Sequence, residues 1–395
     1  MDTKIVLSVV FLPILPFYQL YKYMEITALI FASLKKKTMR FLILFCLFTL
    51  TIIARAQYPS STSKTFISEE VEIKAPQGHV LSGTLTLPTG KGPFACAVMI
   101  TGSGPQNRDE EILGHKPFEA IAHHLAEKGI AVLRCDDRGV AKSTGDHESA
   151  SSKDFADDIL TQISFLQKEK KKKIRANGIG LIGHSEGGLI AAMVGARQSD
   201  LAFIVSLAGP GVNGRDILYK QNYDVTRAEG LSADEAAKNR DNVMKMLDIV
   251  IQNQNAEAEK KLHLLLDSLY SNAAIPQFEE FKKAQIESMN TDWMRYFLTY
   301  DPAKDWEKVS CPVLALNGEK DLQVDAKINL NAIAAALEKG NNYQYQTIVF
   351  PGMNHLFQSC KTCTISEYGL LEESISPLVL TEISDYLVKF AHAAK

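Results

Sequence analysis

The chain has 395 residues, enough for one large domain with an insertion or for two of ordinary size. Hydrophobic residues make up 46% and charged residues 23%, the balance of a folded soluble protein and not of a low-complexity one. With 43 basic and 46 acidic side chains the formal net charge is −3, so neither nucleic acid nor an anionic membrane surface is expected as a partner.

Two apolar stretches precede residue 57. The first covers 5–20 and is broken by Pro13 and Pro16; the second covers 41–53. Lys35, Lys36, Lys37 and Arg40 give the second a positive flank, and Ala54-Arg55-Ala56 fits a small-x-small cleavage pattern. Residues 1–56 therefore read as a leader, with Met39 as the true start and cleavage near Ala56. The mature protein is expected to be secreted or periplasmic. Both stretches fall short of the roughly 20 apolar residues of a membrane span, so no stable span is expected; an N-terminal anchor is the alternative. Cys46 lacks the small preceding residue that lipid attachment prefers. A polar linker follows over 57–66, and the domain proper covers 67–395.

Strand patterns come next, at 70–75 and 80–87, with Gly78 at the turn between them. The alternation of Val71 and Ile73, then Leu81, Gly83, Leu85 and Leu87, predicts a half-buried antiparallel pair. From residue 95 continuous apolar runs appear at 95–100, 130–135, 178–182, 203–207, 313–316 and 346–350. Amphipathic helices are expected between the early runs, at 117–128, 154–167 and 186–197. Runs buried on both faces and separated by helices specify a parallel, doubly wound α/β sheet. Between about 212 and 305 the alternation stops, and an all-helical insertion is predicted beside the carboxyl ends of the strands, where a lid would sit. Within it Trp293, Tyr296, Phe297 and Tyr300 recur at helical spacing, which favours packing over a pocket. The basic run Lys168–Lys173 suits a solvated helix end.

The strongest motif is Gly183-His184-Ser185-Glu186-Gly187, a G-x-S-x-G that follows a buried strand and opens a helix. That context is what a nucleophile elbow requires, since small residues on either side let strand and helix approach around a strained serine. A serine hydroxyl needs a base within hydrogen-bond reach. Of nine histidines, His355 alone stands in a loop after the last strand. The acid should come earlier, and Asp321 follows the 313–316 strand directly; Glu319 and Asp325 are its rivals. Two oxyanion donors are expected from the backbone N–H groups of Ser103, in Thr101-Gly102-Ser103-Gly104-Pro105, and of Glu186.

Cys96, Cys135 and Cys311 lie in apolar runs and read as small buried hydrophobes. Cys360-Lys361-Thr362-Cys363 suggests a local disulfide in an oxidising compartment. No second ligand pair accompanies it, so no metal is expected, and nothing implies an organic cofactor.

These segments together resemble the EstD-like bacterial carboxylesterases of the α/β-hydrolase superfamily. The match is carried by the runs Gly102–Asp109, Leu133–Gly139, Gly183–Gly188, Cys311–Asp321 and Asn354–Phe357, which span nearly the whole mature chain. The resemblance implies an α/β-hydrolase fold, a helical lid between the sixth and seventh strands, and hydrolysis of a small-molecule ester through Ser185, Asp321 and His355. Asn107 departs from the family's acidic residue and Ala141 from its glycine. Asp137 and Arg138, in the loop after the second parallel strand, read as a structural ion pair. An aminopeptidase, amidase or thioesterase on the same fold is the enzymatic alternative, and a ligand-binding protein without catalysis is the other.

Overall fold

The computed structural model describes residues 66–270 and 278–392. The expected leader, and all of the expected linker but Phe66, lie outside the described residues. Phe66 already belongs to the first strand. Eight strands form one sheet: β1 (Phe66–Lys74), β2 (Val80–Pro88), β3 (Phe94–Ile100), β4 (Ala131–Cys135), β5 (Ile174–His184), β6 (Ile204–Leu207), β7 (Val313–Gly318) and β8 (Tyr345–Phe350). Their spatial order is β1-β2-β4-β3-β5-β6-β7-β8. The β1–β2 hairpin is antiparallel, and β2 joins β4 antiparallel. Every pairing from β4 across to β8 is parallel.

Alternation along these strands explains two cores. One face carries Cys96, Val98, Ile100, Leu181, Ile204, Val313 and Ala315, packed with α2 (Ser152–Glu169), α3 (Glu186–Gly195) and α10 (Ala326–Lys339). The other carries Ala97, Met99, Val132, Ile182, Val205, Leu314 and Leu316, covered by α1 (Pro117–Glu127) and α11 (Pro377–His392). A period of two with both faces covered produces the continuous apolar runs seen in sequence.

Two strands depart from expectation. β2 is almost wholly buried instead of half-buried, because it lies inside the sheet between β1 and β4. β8 is largely exposed instead of buried on both faces, because it is the outer edge and pairs only with β7. The helical insertion is present: α4 (Gly214–Ala228), α5 (Ala233–Gln252), α6 (Asn255–Tyr270), α7 (Phe278–Met289), α8 (Asp292–Thr299) and α9 (Ala303–Trp306) all lie between β6 and β7. Among the described residues no helix is long and apolar enough to cross a membrane.

Register decides which loops meet. Ile100 of β3 pairs with Gly183 of β5, so the loop after β3 and the turn after β5 leave the sheet side by side. Gly318 of β7 pairs with Phe350 of β8, which brings the next two loops together as well. The chain crosses from β4 to β5 on the far side of β3, the kind of switch point where open α/β sheets bind ligands.

Candidate active site

Ser185 stands between the end of β5 and the start of α3 at φ 52°, ψ −122°. Such a backbone is costly for a residue with a side chain and persists only when its surroundings fix it. Here they do. Ser185 N–H donates to Leu207 O at 2.8 Å, and Gly188 N–H returns to Ser185 O at 2.9 Å. A Cβ on Gly183 would stand 2.0 Å from Gly187 O, and one on Gly187 would stand 2.1 Å from Ile100 O. Both contacts are to backbone, so only glycine permits the turn.

Asp321 and His355 come together across the β7 and β8 loops. His355 Nδ1 and Asp321 Oδ2 are 2.7 Å apart, and both side chains are buried. The other carboxylate oxygen, Oδ1, accepts the N–H groups of Gln323 at 2.8 Å and Val324 at 2.9 Å. A carboxylate pinned in this way fixes the ring and leaves Nε2 as the nitrogen available to a reacting group. The rivals are engaged elsewhere. Glu319 accepts the Gly352 N–H at 3.1 Å, and Asp325 caps α10 through the Ile328 N–H at 2.8 Å.

The His355 loop has its own scaffold, which sequence reasoning missed. Asn354 is fully buried, and its Oδ1 accepts from the N–H groups of Leu356 and Gln358, both at 3.0 Å. Lys320 N–H donates to Met353 O at 2.9 Å, stitching this loop to the one that carries Asp321. Asparagine beside the histidine was visible in sequence; that it folds the loop was not.

The elbow and the His355 loop are joined through His184. Its Nε2 donates to His355 O at 3.1 Å, its Nδ1 faces Glu110 Oε1 at 2.9 Å, and the two imidazole centroids are 4.8 Å apart. The same Glu110 oxygen accepts the Gly102 N–H at 2.7 Å. A Cβ on Gly102 would lie 3.3 Å from Ser185 Cβ, so the loop holding Ser103 runs directly against the elbow. Gly102 spends its N–H on Glu110, whereas those of Ser103 and Glu186 have no backbone acceptor among the described residues outside their own element.

The Glu186 side chain is buried and makes no ion pair among the described residues. Its Oε1 accepts from Ser152 Oγ at 2.5 Å and from Trp293 Nε1 at 2.8 Å. Burial pushes this carboxyl group's pKa up, outweighing the two hydrogen bonds. Trp293 stacks on Phe297, and Tyr296 stacks on Tyr300, with both centroid separations 5.3 Å, so the aromatic stripe packs the insertion against α3.

Asp137 and Arg138 do not pair with each other. Asp137 accepts from Thr101 Oγ1 at 2.7 Å and from the Gln106 N–H at 2.9 Å. Arg138 reaches the other way, to Asp158 Oδ2 at 2.7 Å. The two residues lie in a turn closed by the Val140 N–H on Asp137 O at 3.0 Å, and each side chain meets a partner from a different element. Burial raises the Asp137 pKa well above the ordinary range, and the charges of Glu110 and Glu186 add to it. Asn107 and Ala141, the two expected departures, also find a place. Asn107 Oδ1 accepts the Asp109 N–H at 3.0 Å in a local turn, and Ala141 sits at φ 47°. Cys360 and Cys363 are joined, with Cα atoms 5.0 Å apart, in the loop that follows His355. Cys96, Cys135 and Cys311 are buried and free. Among the described residues no group of three His, Cys, Asp or Glu side chains could hold a metal ion.

A mostly parallel sheet with a strained serine at the β5–α3 turn is the architecture of an α/β hydrolase. Residues 115–358 match the family described as serine aminopeptidase, S33, and the chain belongs to that family. Esterase EstD of Thermotoga maritima is 26% identical over 312 residues, 78% of this chain and 66% of that protein, so the match spans just under two thirds of the relative. The α/β hydrolase GrgF from a Penicillium species superposes with a TM-score of 0.52 at 16% identity, covering 82% of this chain and 99% of its own. The Pyrococcus furiosus esterase Pf2001 gives 0.50 at 16%, covering 82% and 92%. These two likenesses concern the fold.

Proposed function

We propose that the chain is an exported serine hydrolase that cleaves small carboxylic esters through an acyl-enzyme. His355 Nε2 takes the proton of Ser185 Oγ as the hydroxyl attacks the ester carbonyl. Asp321 holds the ring tautomer and stabilises the imidazolium that forms. The N–H groups of Ser103 and Glu186 receive the oxyanion. His355 then returns its proton to the departing alcohol, and water, activated by the same imidazole, releases the acid. The helical insertion over 212–305 serves as the lid and sets which acyl chains enter.

The observation that carries this reading is the 2.7 Å bond between His355 Nδ1 and Asp321 Oδ2, one residue removed from the strained Ser185 through the His184 contact. The resemblance to EstD supports esters as the substrate class. Export is supported by the basic flank and small-x-small site before residue 57, and a disulfide at Cys360–Cys363 suits that destination.

The test is turnover of p-nitrophenyl acetate beside an aminoacyl p-nitroanilide. The ester is expected to be cleaved and the amide poorly, with ester turnover falling by about 10⁶ in Ser185→Ala. Preferential cleavage of the amide would move the reading to an aminopeptidase, which the family's description keeps open. Retained turnover in the variant would remove Ser185 from its role.

A further inference from the structure

We propose that Glu110 and His184 form a buried carboxylate–imidazolium pair that holds the Ser103 loop and the His355 loop in register as positioning residues for the chemistry at Ser185. The inference rests on the hydrolase reading above and adds to it a second, proton-bearing pair behind the elbow.

The hydrogen-bond geometry fits a hydrogen on each ring nitrogen. His184 Nε2 faces a carbonyl oxygen, that of His355, at 3.1 Å, and a carbonyl only accepts, so Nε2 carries hydrogen. Nδ1 faces Glu110 Oε1 at 2.9 Å, and two lone pairs at that distance would repel. Glu110 Oε1 also accepts the Gly102 N–H at 2.7 Å, so it already acts as an acceptor. A hydrogen on Nδ1 as well satisfies both contacts at once, and the ring is then a cation.

The groups around the pair fit this assignment. Toward His184 stand Glu110, His355 and Asp321; toward Glu110 stands Asp137, on the loop after β4. Burial works against a cation at His184, but the charge and hydrogen bond of Glu110, the bond to the His355 carbonyl and the charge of Asp321 together outweigh it, and the His184 pKa is raised. Glu110 is only 1% exposed, its Oε2 is buried with no partner among the described residues, and its backbone lies in the left-handed region at φ 49°. A buried half-satisfied carboxylate on a strained backbone is a poor device for stability alone. Its contacts reach the two loops that a tetrahedral intermediate would need aligned. Deprotonation of His184 would leave an unneutralised carboxylate beside the candidate oxyanion donors, which opposes a second negative charge there.

The test combines kinetics with a readout that needs no turnover. Glu110→Gln keeps an oxygen able to accept from Gly102 but removes the negative charge that holds a second proton on His184. The expected result is an alkaline decline in wild-type kcat as His184 gives up its proton, and in Glu110→Gln a fall in kcat of about 10- to 100-fold with KM within about twofold and loss of that decline. In the full chain carrying Ser185→Ala, with ¹⁵N-labelled histidine, both His184 ring nitrogens are expected in the protonated range at pH 7. Adding Glu110→Gln is expected to move Nδ1 to the unprotonated range. An unprotonated Nδ1 at pH 7 with Glu110 intact, or a kcat and pH profile unchanged by Glu110→Gln, would overturn the inference. A wild-type protein that cleaves no ester would instead count against the hydrolase reading, while the nitrogen shifts would still judge the pair.

Discussion

At Ser185 the chain departs from what its own side chain prefers. A φ of 52° lifts the residue out of the strand path, and the crowding of Gly183 and Gly187 against backbone oxygens shows that the turn is imposed from outside. Ala141 at φ 47° is a second such residue; glycine would adopt this conformation without a penalty of about 1–2 kcal/mol. Asp321 gives the sharpest single-residue expectation. Its Oδ1 is held by two backbone N–H groups, so asparagine would place its oxygen there and turn its amide toward His355 Nδ1. The ring would then take the wrong tautomer, with the hydrogen on Nε2. Asp321→Asn is expected to lower kcat by about 10⁴ while KM changes little, as measured by steady-state ester kinetics; a loss under tenfold would mean that Asp321 does not set the tautomer.

Among the elements, the insertion is tied to the elbow at one polar point. Trp293 of α8 donates to Glu186, the first residue of α3, whose other partner is Ser152 at the start of α2. Three helices therefore converge on one buried carboxyl group. Trp293→Phe keeps part of the stacking on Phe297 and removes the donor with one ring, so urea unfolding is expected to show a loss of at least about 1–2 kcal/mol. An unchanged midpoint would mean that the bond contributes nothing. From sequence the aromatic stripe could be assigned to packing by its helical spacing, but no local pattern says which polar atom lies under an indole. The same holds for strand exposure: β2 and β8 were legible as strands, whereas their burial depends on neighbours that only the sheet order supplies.

For the molecule as a whole, what could be read early were the features repeated along the chain or concentrated in one motif. Apolar runs at period two, helices between them and glycines around Ser185 each leave a local mark. What could not be read were contacts between loops distant in sequence. Glu110 stands one residue beyond the Gly102–Asp109 run, yet its partners are Gly102 and His184. Arg108 likewise binds Asp136, Glu70, Thr84 and Ser82, fastening the β3 loop to the hairpin and to the loop after β4. Asp137 and Arg138 were separated for the same reason. The account depends on four loops at one sheet edge making a single reactive hydroxyl, and mass-spectrometric mapping of a fluorophosphonate adduct tests that most directly. The expected result is one adduct, on the peptide containing Ser185, abolished in His355→Ala. An adduct on another serine, or labelling that survives removal of His355, would contradict it.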